Sequence, residues 1–281
     1  MLQGLFRPKT VDEAVALLAQ DPEARLLSGG ATLVAMMNAR VAEPEALISL
    51  GDIDEIKGIS TLSDGRIRIG AFTRHRETAT YAMPLGANGV VRHAASQIAN
   101  ATVRNMGTIG GSIAFADPGL DYPPALVAAR AAVEIASPGG RRLVEASEFF
   151  VDWYTTALKP GEMVTAVLLP AVGAGDGLYV KHARVAGDYA TASVAACLYS
   201  DGRMRVAVGS CGPAPLHSDE ADSLLSAGVG DDAITRAGEA LQALADPLDD
   251  VRGSADYRCL LIPRLLLRAV RSLSERQRSA A

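Results

Sequence analysis

Two short runs carry the residue types from which an anion site can be built. They are Ser28-Gly29-Gly30-Ala31-Thr32 and Thr108-Ile109-Gly110-Gly111-Ser112. Glycine lets a backbone take positive φ or lets another molecule approach closely. Consecutive amides in such a turn can form a nest for an anion, and a helix that starts there adds the positive end of its dipole. The hydroxyls of Thr108 and Ser112 add further donors. Either run alone reads equally well as a tight turn with no ligand. Two in one chain, each flanked by hydroxyl residues, favour a diphosphate.

Asp121 follows nine residues after Ser112. An acid in that place can accept from a sugar hydroxyl, as in dinucleotide sites generally. It can equally cap the helix that "YPPALVAAR" predicts, and the two roles are compatible. The glycine spacing is not G-x-G-x-x-G and no G-K-[ST] occurs, so neither a nicotinamide fingerprint nor a P-loop is supported. His75, His93, His182 and His217 are scattered, with no visible triad or ligand set. Cys197, Cys211 and Cys259 lie far apart with no C-x-x-C, which predicts buried, reduced thiols. No catalytic residue and no metal ligand is expected in this chain.

The elements that must position these groups follow from patterning. Thr10 and Glu13 stand in capping-box spacing at the start of a helix over 10–20. A short strand precedes the first glycine run, a helix over 31–40 follows it, and "ALISL" at 46–50 reads as a strand. Alternation at Ile67 and Ile69 marks a half-buried strand, with helical chemistry after Thr73. "VVRHAASQIANATV" reads as one helix leading into the second run. Strands are expected at 133–136 and 163–169, then a linker at 171–177. Beyond it come a strand over 178–184 and a strand pair turned at Asp201-Gly202. Helices are expected over 217–226, 231–245 and 254–274. Pro263 reads as a helix start ahead of an apolar stripe at Leu265, Ala269, Val270 and Leu273. Arg264, Arg268, Arg271, Arg276 and Arg278 fill much of the rest, as a docking face for an acidic partner or simply a solvated face.

With 281 residues, 49% hydrophobic and 21% charged, the composition is that of a globular protein. A net charge of −5 gives no indication of a nucleic-acid surface. No apolar run is long enough to span a membrane, and no basic-then-apolar leader opens the chain, so the expected address is the cytoplasm.

"LLSGGATLVAMMNAR" together with "TVRNMGTIGGSIAFADPGLDYPPAL" resembles the FAD-binding medium subunit of the molybdenum hydroxylases. That family includes the flavoprotein subunits of carbon monoxide dehydrogenase and xanthine dehydrogenase. "YVKHARVAGDYATASVAA" and "SADYRCLLIPRLLLRAV" extend the likeness over nearly the whole chain. The resemblance implies an α+β fold: a two-part FAD-binding domain over 1–172, with subdomains of about 1–55 and 56–172, then a C-terminal antiparallel sheet with packed helices over 177–281. It implies FAD, with the first diphosphate loop on Ser28, Gly29, Gly30, Ala31 and Thr32, flanked by Leu26, Leu27 and Leu33. The second loop falls on Thr108, Ile109, Gly110, Gly111 and Ser112, and the ribose-side acid on Asp121. Ile98 would line the cavity, Lys181 would lie near the flavin, and Tyr189 would be the aromatic beside its ring.

Lys181 could stabilise reduced, anionic flavin by its charge; from residue type alone it reads equally as a solvated lysine. The second loop usually ends in asparagine, and Ser112 departs from that pattern with a shorter reach. The resemblance further implies a heterotrimer, assembled as a dimer of heterotrimers. A large molybdopterin subunit would hydroxylate the substrate, and a small subunit with [2Fe–2S] clusters would pass electrons to this chain. Family members with an inserted iron–sulfur loop are excluded by the cysteine count. Two other readings stay open: a self-contained FAD-dependent oxidase of a small molecule, and a flavin-free structural subunit, the latter suggested only by Ser112.

Overall fold

Strand β1 (Gly4–Phe6) and helix α1 (Val11–Gln20) open the chain. Thr10 Oγ1 accepts from the Glu13 amide at 3.2 Å, which is half of the expected capping box. The Glu13 carboxylate takes the Lys9 amide instead of that of Thr10. With β2 (Arg25–Leu27), α2 (Leu33–Asn38) and β3 (Ala46–Ser49) the first unit is a parallel sheet ordered β1-β3-β2. Helix α2 stops short of the span expected over 31–40. Arg40 turns into the left-handed region at φ 56°, and the amides of Val41 and Ala42 fold back onto the Met36 carbonyl.

The chain continues through β4 (Ile59–Thr61), β5 (Ile67–Gly70) and α3 (His75–Ala79), then four helices in succession. These are α4 (Gly89–Gln97), α5 (Ala101–Met106), α6 (Ile109–Phe115) and α7 (Tyr122–Ala128). Strands β6 (Ala132–Ser137) and β7 (Gly140–Glu145) follow, then α8 (Ala146–Phe149), the small pair β8 (Phe150–Asp152) and β9 (Thr155–Thr156), and β10 (Met163–Leu169). The main sheet is antiparallel and ordered β4-β5-β10-β6-β7. Every residue of β10 is buried, which fits a continuous apolar run at the centre of a covered sheet.

The single helix expected through residues 90–103 is two. Ala99 takes φ 41°, and Asn100 caps the second helix by accepting from the Val103 amide at 3.0 Å. Arg104 donates to the carbonyls of Ile98 and Ala99 and so holds the corner.

The last unit is an antiparallel sheet of β11 (Gly175–His182), β12 (Ala192–Tyr199) and β13 (Met204–Gly209). Strand β11 begins inside the stretch read as a linker. The Asp201-Gly202 hairpin forms as expected, with Gly202 at φ 83°. Helices α9 (Asp219–Ala227), α10 (Asp231–Gln242) and α11 (Ala255–Ala280) cover one face of this sheet. The other face, with Tyr179, Ala195, Cys197 and Ala207, joins the core that holds α4 and α7. Coverage on both faces is why "ASVAACLY" does not alternate. The α+β class is as expected from the sequence.

Pro263 does not start a helix; it lies inside α11. Proline removes one backbone donor there and packs against Gly238 of α10, where a Cβ would stand 3.0 Å from its ring. Arg271 pairs with Asp231 at 2.8 Å and Arg276 with Asp176 at 3.3 Å, so part of the arginine face serves this chain's own carboxylates. Cys197 and Cys211 are buried free thiols, whereas Cys259 is only half-buried. The computed structural model describes residues 2, 4–82 and 85–280; the outer ends of the expected domains, residues 1 and 281, lie outside the described residues.

Candidate functional site

The ladder between β2 and β3 ends where the Leu50 amide reaches the Leu27 carbonyl at 2.9 Å. The next five residues, Ser28 to Thr32, form an open turn with Gly30 at φ 74°. None of their backbone amides donates to an acceptor among the described residues. Helix α2 begins directly after them, with no side-chain cap at Thr32. The first glycine run is therefore a row of uncommitted donors at a helix start.

The second run is built differently. Ile109 donates to the Thr73 carbonyl at 3.0 Å, Gly110 to that of Ala71 at 2.9 Å, and Ser112 to that of Thr108 at 3.0 Å. Gly111 donates to Thr108 Oγ1 at 3.2 Å, the side-chain cap of α6. The nest expected here is closed, because these four amides are engaged within the protein. Gly110, and Gly107 just before the run, are explained by protein contacts as well. A Cβ at Gly110 would stand 2.5 Å from that of Ala71, and one at Gly107 2.5 Å from His75 Nε2. What this run leaves open is hydroxyl chemistry: Ser112 is half-buried on the cavity wall, and its hydroxyl makes no hydrogen bond within the described residues.

The two runs meet. Ser28 Oγ and Thr108 Oγ1 share a hydrogen bond of 2.7 Å across 80 residues of sequence. Gly29 packs directly on the backbone at 106–107, and a Cβ there would overlap the Met106 carbonyl. A cavity of about 530 Å³ opens beside this junction, within the size range of ligand pockets. Leu26, Ser28, Gly29, Gly30, Ala31, Thr32 and Leu33 line one side. Ile98, Thr108, Gly110, Gly111, Ser112, Asp121 and Tyr189 are among the other residues of its wall.

Three residues expected at the site do not reach the cavity wall. Ile109 is fully buried in the main core, Leu27 is half-buried beside the ladder, and Lys181 lies behind Asp121. Lys181 is not the solvated lysine its type allowed: its side chain is 5% exposed. Its ammonium donates to the Gln97 carbonyl at 2.8 Å and the Asp188 carbonyl at 3.1 Å and pairs with Asp121 at 3.0 Å. Three acceptors match its three N–H bonds. No donor is left over for direct contact with a ligand.

Asp121 occupies the N-cap position of α7, yet its carboxylate makes no capping bond. Oδ1 instead accepts from the Tyr179 hydroxyl at 2.7 Å and from Lys181. Burial pushes this carboxyl above its ordinary value, while the Lys181 charge and the Tyr179 hydroxyl pull it part of the way back. Tyr189 is held from outside by the Arg252 guanidinium, 4.9 Å from the ring centroid, and its edge packs on Gly119.

The sequence reading missed several wall residues, among them Ala99, Phe115, Gly119 and His75. Only Asn100, a preferred capping residue, hinted at the corner that brings Ala99 there.

His75 is 5% exposed and its Nδ1 lies 3.3 Å from the Tyr122 hydroxyl. Burial, helped by the Arg104 charge, lowers its pKa from 6.5 to about 4. The neutral imidazole is favoured by folding, so the stability it contributes is complete above its unfolded pKa and is lost as pH falls toward the folded one. The span corresponds to about 3 kcal/mol. Thermal melts between these two pH values should flatten in His75→Gln relative to wild type; an unchanged slope would exclude His75 as the source. Of the remaining histidines, His182 Nε2 lies 3.1 Å from the Tyr257 hydroxyl. His217 Nε2 lies 2.8 Å from Asp222 Oδ2, where Arg205 supplies a positive charge at 3.6 Å.

Residues 2–172 match the family described as the FAD binding domain in molybdopterin dehydrogenase. Residues 178–273 match the CO dehydrogenase flavoprotein C-terminal domain. The carbon monoxide dehydrogenase medium chain of Hydrogenophaga pseudoflava is 36% identical over 94% of both chains. Among solved structures, reconstituted CO dehydrogenase from Oligotropha carboxidovorans superposes with a TM-score of 0.92 at 34% identity, covering 98% of each chain. Quinoline 2-oxidoreductase from Pseudomonas putida 86 gives 0.89 at 30% identity, covering 98% of this chain and 97% of that one.

Proposed function

This chain belongs to the FAD-binding medium subunits of the molybdenum hydroxylases, and on that footing we propose that it accepts electrons from a [2Fe–2S] partner subunit and delivers them to a terminal acceptor. Bound FAD supplies the redox chemistry; the chain contributes binding, orientation and exclusion of water. The observation that carries the site assignment is the junction of the two glycine runs, where the residues with uncommitted amides, Ser28 to Thr32, line the cavity.

The amides of Ser28, Gly29, Gly30, Ala31 and Thr32 are the donors that would take the diphosphate, with the Ser28, Thr108 and Ser112 hydroxyls beside them. Donation by backbone amides at a helix start suits a phosphate oxygen. Ser112 keeps a free hydroxyl, so its departure from asparagine leaves a donor in place. Asp121 would accept from a sugar hydroxyl of the cofactor. Leu26, Leu33 and Ile98 form apolar wall, and Tyr189 is the aromatic that would lie against the ring. Gly110 and Gly111 shape the floor, while Leu27, Ile109 and Lys181 support the wall from behind.

The reaction catalysed by the whole assembly would take place on a large molybdopterin subunit, in a dimer of heterotrimers in the cytoplasm. The designation of relatives as medium chains supports a larger and a smaller companion. A self-contained oxidase is less well supported. The acids at the cavity are already engaged, Glu162 by Arg142 at 2.7 Å, Asp188 by Arg252 at 3.5 Å and Asp121 by Lys181.

The test has two parts. Purified chain reconstituted with FAD should retain one flavin per chain, read from its visible absorption, and should hydroxylate nothing alone. Affinity purification from the native host should bring down molybdenum and iron in stoichiometric amounts. A chain that retains no flavin, or that oxidises a small molecule unaided, would reject the reading.

A further inference from the structure

We propose that Tyr179 is a positioning residue of the flavin site: its hydroxyl, together with Lys181, fixes Oδ1 of Asp121 so that Oδ2 is presented to the cavity for a cofactor hydroxyl. This rests on the FAD assignment above and extends it to a residue on the far sheet. Tyr179 lies in β11, 1% exposed, and does not touch the cavity. Its phenol and the Lys181 ammonium converge on the same carboxylate oxygen, at 2.7 and 3.0 Å. Asp121 Oδ2 accepts from no group among the described residues, although Asp121 lines the cavity and neighbours a helix N-terminus. The amides that an N-cap side chain takes are those of the second and third helical residues, and here these are Pro123 and Pro124, which carry no N–H. With no cap to make, the carboxylate turns to the two donors from β11.

The backbone of the same strand is tied to the opposite wall. Gln97 donates through Nε2 to the Tyr179 carbonyl at 3.1 Å, and Lys181 donates to the Gln97 carbonyl. The acid and the Ile98 corner are thus referenced to one strand. A hydrogen bond to an ionised acceptor is stronger than a neutral pair, and its loss frees the carboxylate to rotate.

The experiment uses the full chain and FAD, titrated by flavin fluorescence. Tyr179→Phe keeps the buried ring and removes only the hydroxyl. The expected result is a flavin dissociation constant raised by about tenfold, from the loss of one charge-assisted hydrogen bond. In an Asp121→Asn background the same substitution should cost less than about twofold, because a residue acting through Asp121 has nothing left to position. A purely structural role would give equal losses in both backgrounds. A second readout is the carboxylate stretch of Asp121, taken from infrared difference spectra against Asp121→Asn. Tyr179→Phe should shift that band, and a structural role would leave it in place. Additive losses, or an unmoved band with unchanged affinity, would overturn the proposal. Failure of the wild-type chain to bind FAD at all would instead reject the FAD assignment beneath it.

Discussion

Gly29→Ala should be the most damaging single substitution at the cavity, removing both flavin retention and a large share of stability. A Cβ at this position has nowhere to go, since it would overlap the Met106 carbonyl and lie 3.0 Å from Gly107 Cα. Both obstacles are backbone, so no rotamer change relieves them. Either the first turn lifts away from residues 106–107 or the start of α6 shifts. Both would break the 2.7 Å contact between Ser28 and Thr108. Overpacking against backbone costs on the order of 3 kcal/mol or more. For a chain of this size that lowers the melting temperature by roughly 6 to 12 °C. Differential scanning calorimetry of the apo chain and flavin content after gel filtration measure the two losses separately. A folded, fully flavinylated Gly29→Ala protein would show that the two turns do not meet as described.

Gly111→Val should do the opposite: lose the flavin and keep the fold. Gly111 is exposed in the first turn of α6, where valine has the higher helix propensity of the two and costs nothing on that count. A Cβ there would stand 3.1 Å from Thr108 Oγ1 and 3.6 Å from Ser28 Cβ, so the side chain enters the crevice between the runs. If a diphosphate occupies that crevice, the branched methyls displace it, and affinity should fall by about a hundredfold or more, the equivalent of about 3 kcal/mol. Equilibrium titration with FAD, paired with a far-ultraviolet circular dichroism melt, separates this outcome from unfolding. Retained flavin in a folded variant would move the diphosphate elsewhere in the cavity.

The contrast between these glycines marks how far the sequence could be read. Spacing and residue type located both runs, and the flanking hydroxyls supplied the contact that joins them. What spacing could not disclose is which glycine serves a ligand and which serves the fold. The amides of 109–112 are engaged by Ala71, Thr73 and the α6 cap, partners that lie well upstream in the chain or within the turn itself. That pairing depends on how β5 ends beside α6, a tertiary fact. Lys181 illustrates the same limit. As a residue type it suggested a charge offered to a ligand or to solvent, yet the packing of β11 against α4 encloses it and uses all three of its donors. Tyr179 escaped notice because a tyrosine inside an apolar strand is ordinary, and nothing local ties it to an acid 58 residues away.

Local chemistry was legible wherever it acted alone. The Asp201-Gly202 turn and the strand pair it joins follow from residue type. The break at Ala99 was marked only by the capping type of Asn100, because the positive φ of a non-glycine residue is held by Arg104 from the next helix.

The sheet of β11, β12 and β13 lends its inner face to the first core and its outer face to the second. Recombination between relatives is constrained accordingly. A crossover near residue 172 would look natural, since it falls between the two family matches. Such a hybrid would nonetheless inherit its acid from one parent and the tyrosine and lysine that orient it from the other. Compatibility of the halves would turn on those three side chains and on the small residues Ala195, Cys197 and Ala207 at the seam, rather than on the loop where the chains are joined.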